Sequence, residues 1–137
     1  MADLLLLAED CERVPEPERS LDGDIAIAIG WTFQKMKGDR QPYYRRPGDT
    51  EWFMRSELPK YTSSIDAALT VIPEGWFFSG LDQQPPAVRV WTEGNIAYHS
   101  PGLDGLHAAT PALAICAAAL RAHARLLADV GQSGERQ

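Results

Sequence analysis

Leu4 to Leu7 open an apolar stretch that gives way to acids at Glu9, and the pattern predicts a short helix over residues 2–12. Pro15 and Pro17 stop it, because proline lacks the helical donor and clashes with the preceding turn. Leu21, Ile25, Ala28 and Ile29 then recur at helical spacing, with Ser20 or Asp22 as the cap and Gly30 as the end. Trp31 to Lys37 alternates loosely and reads as a strand. Residues 38–51, GDRQPYYRRPGDTE, are rich in Gly, Pro and Asp and predict one long loop. Trp52-Phe53-Met54 predicts a short extended return to the core. Ser63 and Asp66 have the spacing of a capping box. Ile65, Ala68, Leu69 and Ile72 supply the apolar stripe of the helix that follows, which Pro73 stops.

Residues 76–100 are the strand-rich part. Trp76 to Ser79 is one candidate strand. Ala87 to Thr92 is another, with Val88 and Val90 on one face and Arg89 and Trp91 on the other. Glu93-Gly94-Asn95 predicts a hairpin turn, and Ile96 to His99 the returning strand. Thr110 as N-cap and Pro111 at the first helical position predict a helix that runs to about Asp129. Its apolar face is Leu113, Cys116, Ala117, Leu120, Ala124 and Leu127, with Arg121 and Arg125 on the other side. The pattern as a whole predicts an α+β fold, a small antiparallel sheet packed between helices. Three segments follow: an acidic helical segment 1–19, the principal domain 20–129 and a frayed tail 130–137.

Composition changes this picture little. At 137 residues, 45% hydrophobic and 23% charged, the chain is ordinary globular material for one core. Its longest early apolar run, Leu4 to Ala8, is far short of the ~20 residues that span a bilayer. No basic leader precedes it, so neither a signal peptide nor membrane association is expected. Cys11 and Cys116 form no metal or disulfide framework, which fits a reduced, cytoplasmic compartment.

Charge is more informative. Residues 1–24 hold eight acids against Arg13 and Arg19 and so carry the entire net charge of −6. Residues 31–46 hold five bases against Asp39. The acidic balance argues against general duplex DNA binding, which needs many phosphates neutralised. The basic stretch still suits a small anionic ligand. The acidic and basic segments also complement one another well enough for a homodimer that high salt weakens.

Motifs for nucleophilic catalysis, phosphate loops and dinucleotide binding are absent. His99, Asp104 and His107 make a zinc-capable donor set on a Gly-rich connection, but their spacing matches no zinc signature, so solvated loop residues are the simpler reading. No metal, cofactor or catalytic residue is expected. His123 reads as a surface residue. The carboxylate pairs Glu9/Asp10 and Asp22/Asp24 read as solvated helix ends. The most distinctive stretch is Arg40, Tyr43, Tyr44, Arg45 and Arg46. Arg offers planar forks for anions and Tyr offers stacking faces, and both residue types dominate protein docking hot spots. The tryptophans read as core and sheet packing, although Trp91 with Arg89 could flank a groove.

Two blocks resemble a known family. Tyr61-Thr-Ser-Ser-Ile-Asp-Ala-Ala-Leu-Thr-Val-Ile-Pro-Glu-Gly-Trp76 and Ala109-Thr-Pro-Ala-Leu-Ala-Ile-Cys-Ala-Ala-Ala-Leu-Arg-Ala-His-Ala124 resemble the phage ABA sandwich domain family. The stretch from Leu21 to Trp31 fits the helix that precedes those blocks. Departures are the basic, aromatic segment 38–51 and Gly23, which interrupts the first of these helices. The resemblance implies a small α/β sandwich encoded by phages and prophages, with no established catalytic residues. In that setting the expected function is an accessory protein that binds stoichiometrically in the bacterial cytoplasm. It would antagonise host immunity by blocking a host defence protein such as a CRISPR effector, or by sequestering a nucleotide signal. The alternatives are a morphogenetic phage protein and a metal-dependent enzyme built on His99, Asp104 and His107.

Overall fold

The prolines at 15 and 17 separate two helices as their chemistry requires: α1 spans Leu4–Arg13 and α2 spans Arg19–Ala28. A computed structural model describes residues 4–34, 43–73, 75–79, 87–91, 97–100 and 108–135 of the chain. Leu4, Leu7, Ala8 and Cys11 bury one stripe of α1. The start of α2 differs from the expected one. Glu18 occupies the N-cap position without a side-chain bond, and neither Ser20 nor Asp22 caps. Gly30 does end it. Trp31 N–H donates to the Ala26 carbonyl and Gly30 N–H to that of Ile27, with Gly30 at φ 113°. That is a Schellman ending, in which glycine takes the left-handed position at little cost.

Two antiparallel sheets follow, each of three strands in sequence order. The first contains β1 (Thr32–Gln34), β2 (Tyr43–Arg45) and β3 (Phe53–Met54). The long loop expected over residues 38–51 is therefore corrected. Residues 43–45 are the central strand of this sheet, and 38–42 lie outside the described residues. Pro47 and Gly48 make the turn into β3. Asp49 N–H donates to the Arg46 carbonyl over 3.0 Å, with Gly48 at φ 80°, the geometry of a type II turn. The flanking Pro, Gly and Asp that suggested a loop are the punctuation of a hairpin.

A 3₁₀ turn, Arg55–Glu57, leads to α3 (Ile65–Leu69), where Ser64 is the N-cap, accepting from Ala67 N–H. The cap lies one residue beyond Ser63, the expected position. The second sheet contains β4 (Phe77–Ser79), β5 (Val88–Trp91) and β6 (Ala97–Ser100). The expected alternation holds in β5: Val88 and Val90 are buried, Arg89 is exposed and Trp91 half-buried. The turn expected at Glu93–Asn95 lies outside the described residues.

The last helix, α4 (Pro111–Glu135), begins as expected, with Thr110 Oγ1 accepting from Leu113 N–H. It runs past Asp129 to Glu135, through the stretch expected to fray. It is also buried on every side from Ala112 to Leu120, rather than along one stripe. It packs against α1, α3, β5 and β6, and its alanines let those neighbours approach closely. The result is a single compact α+β unit organised around α4, with α1 contributing to the same core.

Two buried polar clusters tie distant parts of the chain together. Glu12 on α1 accepts from Ser100 Oγ over 2.6 Å and forms a two-pronged ion pair with Arg121 on α4. Asp22 on α2 accepts from the Thr62 N–H and hydroxyl, each at 2.8 Å, and pairs with Arg19. Arg19 in turn donates to the Leu58 carbonyl. Both carboxylates sit within the acidic N-terminal segment. Asp22 is therefore a partnered interior group rather than a solvated helix end, and Arg121 does not lie on an open face. Burying such a charge without a partner would cost several kcal/mol, on the order of 3–5.

Candidate functional site

Cross-strand partners in a sheet share a face, and neighbours along a strand alternate. In the first sheet Tyr44 pairs with Phe33 on one side and Phe53 on the other. Tyr44 is buried and Phe53 packs against the core with its ring 6.2 Å from Trp31, whereas Phe33, 5.7 Å from Tyr44, is 48% exposed on the edge strand. Tyr44 is only 2% exposed and its hydroxyl reaches α2. It is a core residue, which removes it from the expected ligand- or partner-binding set.

The opposite face carries Gln34 paired with Tyr43 and Met54, and Thr32 paired with Arg45. Continuing the β2–β3 register by one residue brings Arg45 opposite Trp52, and its guanidinium lies 4.9 Å above that ring. Continuing the β1–β2 register likewise brings Arg46 opposite Trp31, at 5.4 Å. Arg46 thus belongs to the inward side of the sheet end. Burial raises the Tyr61 phenol to about 12 even though the Arg46 charge there pulls it down. Tyr43, Arg45, Trp52 and Met54 together form an outward face of half-exposed aromatic, cationic and thioether side chains. Of the expected residues, this face holds Tyr43 and Arg45, while Arg46 lies on the other side at the end of the sheet. Arg40 lies outside the described residues.

Arg89 and Trp91 form a separate patch on the second sheet. Arg89 lies 5.6 Å above the Trp91 ring, and Phe77 on β4 stacks on that ring at 4.7 Å. Among the described residues the buried Trp91 indole N–H has no hydrogen-bond partner. Val88 and Val90 fill the other side of this strand beneath α4, so the Arg89–Trp91 pair looks outward. The two expected groups of site residues therefore sit on two different sheets.

Sequence reasoning missed Trp52 and Met54, because the short β3 shows no alternation and only the pairing register places them beside Arg45. His123 also differs from its expected place. Nε2 is 2.6 Å from the Val71 carbonyl, and burial holds the imidazole below its ordinary pKa despite that bond. Cys11 and Cys116 are both buried, and Cys116 Sγ donates to the Tyr61 carbonyl. Among the described residues no three His, Cys, Asp or Glu side chains converge as a metal site. Asp104 and His107 lie outside them.

Fold and site together define an α+β protein with an arginine–aromatic face on a small antiparallel sheet. No family model, curated protein or solved structure matches the chain. Among the described residues no helix is long and apolar enough to cross a membrane.

Proposed function

We propose that this chain acts by stoichiometric binding and that its docking surface is the outward face of the first sheet. The observation that carries this reading is the Arg45 guanidinium carbon 4.9 Å over the Trp52 ring, with Tyr43 and Met54 on the same face. Arg, Tyr, Trp and Met are the side chains enriched in protein docking surfaces, because they offer large contact area at low ordering cost. The stacking also fixes a long side chain that would otherwise lose rotamer freedom on binding.

The resemblance of residues 61–76 and 109–124 to a phage domain family adds a setting to this surface. In that setting the chain is a phage or prophage accessory protein of the bacterial cytoplasm. Its partner is a host defence protein, or a nucleotide signal that it sequesters. The test is native mass spectrometry of tagged protein purified from bacterial cells, beside the Arg45→Ala/Trp52→Ala variant. The expected result is a stoichiometric protein or nucleotide mass that the variant loses. A bare chain, or a partner that the variant retains, would sink the proposal.

A further inference from the structure

The second sheet has an unguarded edge. Strand β4 pairs with β5 on one side, and among the described residues no main chain pairs with it on the other. Edge strands are ordinarily guarded by charge, proline or a covering element. Phe77, Phe78 and Ser79 carry neither charge nor proline, and all three are exposed. Their pairing with Trp91, Val90 and Arg89 sets their faces. Phe77 and Ser79 share the outward face with Trp91 and Arg89, and Phe78 shares the α4 side with Val90. Val90 is fully buried there, yet Phe78 is 42% exposed. The reason is that α4 packs on β5 and β6 rather than on β4. A phenylalanine on the core side is thus left one strand beyond its covering helix.

We propose that β4 pairs antiparallel with β4 of a second copy of this chain, joining two three-stranded sheets into one of six strands. This goes beyond the docking face on the first sheet and does not depend on it. The strand is self-complementary about Phe78. A two-fold axis perpendicular to the sheet sets Phe78 opposite its own copy, and Phe77 opposite Ser79 of the second copy. Such a contact uses the same patch on both chains and closes at the dimer. The axis keeps each residue on its own face. Both α4 helices then lie on one side of the joined sheet, and the two Phe78 rings meet in the space between them. On the other face the small Ser79 leaves room for the Phe77 ring. Arg89 and its copy stand three strand spacings apart, about 14 Å, beyond the ~8 Å over which exposed charges act at physiological salt.

An extended segment of an unrelated protein would reach the same main-chain groups. It would need uncharged residues on both faces and an aromatic at the centre. A second β4 supplies that pattern in register.

The test is sedimentation velocity of the full chain over a wide concentration range, in low and in high salt. A dimer is expected with a dissociation constant on the order of tens of micromolar, because a three-residue ladder and its phenylalanines form an interface at the small end of the usual range. High salt should leave it intact, since the edge is uncharged. Phe78→Lys sets two ammonium groups opposite one another and should weaken it about tenfold, the scale of a lost hot-spot contact. Phe33→Lys, on the exposed edge of the first sheet, should leave it unchanged. Thermal melting separates lost association from lost folding. Phe78→Cys gives a second readout, because a thiol opposite its own copy should oxidise to an intermolecular disulfide with copper phenanthroline. Ser79→Cys, opposite Phe77, should cross-link far less. Cys11 and Cys116 are buried and add little background. A monomer at every concentration, a dimer that salt dissolves, or a dimer indifferent to Phe78→Lys would each overturn the proposal. So would equal cross-linking of Phe78→Cys and Ser79→Cys, or a monomer whose β4 takes up an unrelated extended segment instead.

Discussion

A Cβ built on Gly23 would lie 2.8 Å from the Tyr44 hydroxyl and 3.3 Å from Cζ of the same ring. The helix α2 carries a glycine in its middle because the first sheet's central tyrosine needs that space. Gly23→Ala should therefore destabilise the protein by about 1–3 kcal/mol, the usual scale of overpacking. It should do so although alanine gains about 1 kcal/mol over glycine in a helix. Adding Tyr44→Phe removes the nearest atom and should recover most of the loss. Urea denaturation of the two single variants and the double variant reads the coupling directly. Additive effects would mean that the two residues do not meet.

The Glu12–Arg121 pair predicts a second asymmetry. Glu12→Gln leaves the mostly buried Arg121 guanidinium without its counter-charge and should cost about 3–5 kcal/mol. Ser100→Ala alone should cost less, about 1–2 kcal/mol, because it removes one hydrogen bond to a carboxylate that keeps its arginine. Replacing all three together by Leu, Leu and Ala should recover much of the Glu12→Gln loss, since nothing charged is then left unpaired. Chemical denaturation measures each step. A triple variant no more stable than Glu12→Gln would show that the pair is worth more than its desolvation costs.

Legibility in the sequence followed the range of the interaction. Pro15 and Pro17, the Thr110–Pro111 start of α4 and the alternation of Val88 and Val90 are local signals, and each was read where it lies. Glu12 and Arg121 are 109 positions apart, and Asp22 and Thr62 are 40 apart, so nothing local announces either cluster. The all-round burial of α4 was hidden for a related reason. Alanine satisfies both an exposed and a buried helical position, so periodicity showed one stripe and left the other alanines unassigned. Strand β2 was lost among turn-forming residues because Tyr-Tyr-Arg is too short to display a period of two. The arginine–aromatic stretch drew attention for its chemistry, but only the pairing register could assign Tyr44 to the core and Arg45 to the outward face.

Thiol chemistry tests the interior independently. Burial, with Asp10 and Glu12 adding to it, pushes the Cys11 thiol up to about 12. Burial also raises Cys116 well above its ordinary value. The thiolate is the reactive form, so both cysteines should resist N-ethylmaleimide at pH 8 in the native protein. Both should label when urea is added. Intact mass measurement counts the adducts. Rapid labelling of either cysteine without denaturant would contradict the packing of α1 on α4.

His123 predicts the direction of one pH dependence. Its folded pKa lies below its ordinary value of 6.5, chiefly because burial penalises the cation. Between those two values the unfolded chain holds more protons than the folded one, so stability must fall as pH falls through this window. Above about 6.5 the imidazole is neutral in both states and contributes no slope. Below the folded pKa it is protonated in both, and the loss levels off. His123→Gln keeps a donor for the Val71 carbonyl and removes the titration. Subtracting the variant's urea stability curve from that of the parent, measured from pH 5 to pH 8, isolates this one imidazole, since His99 and His107 are common to both. The difference should be flat at the alkaline end and decline toward acid. A rise toward acid would mean that the cation is favoured in the folded state and that the half-buried His123–Val71 arrangement is wrong.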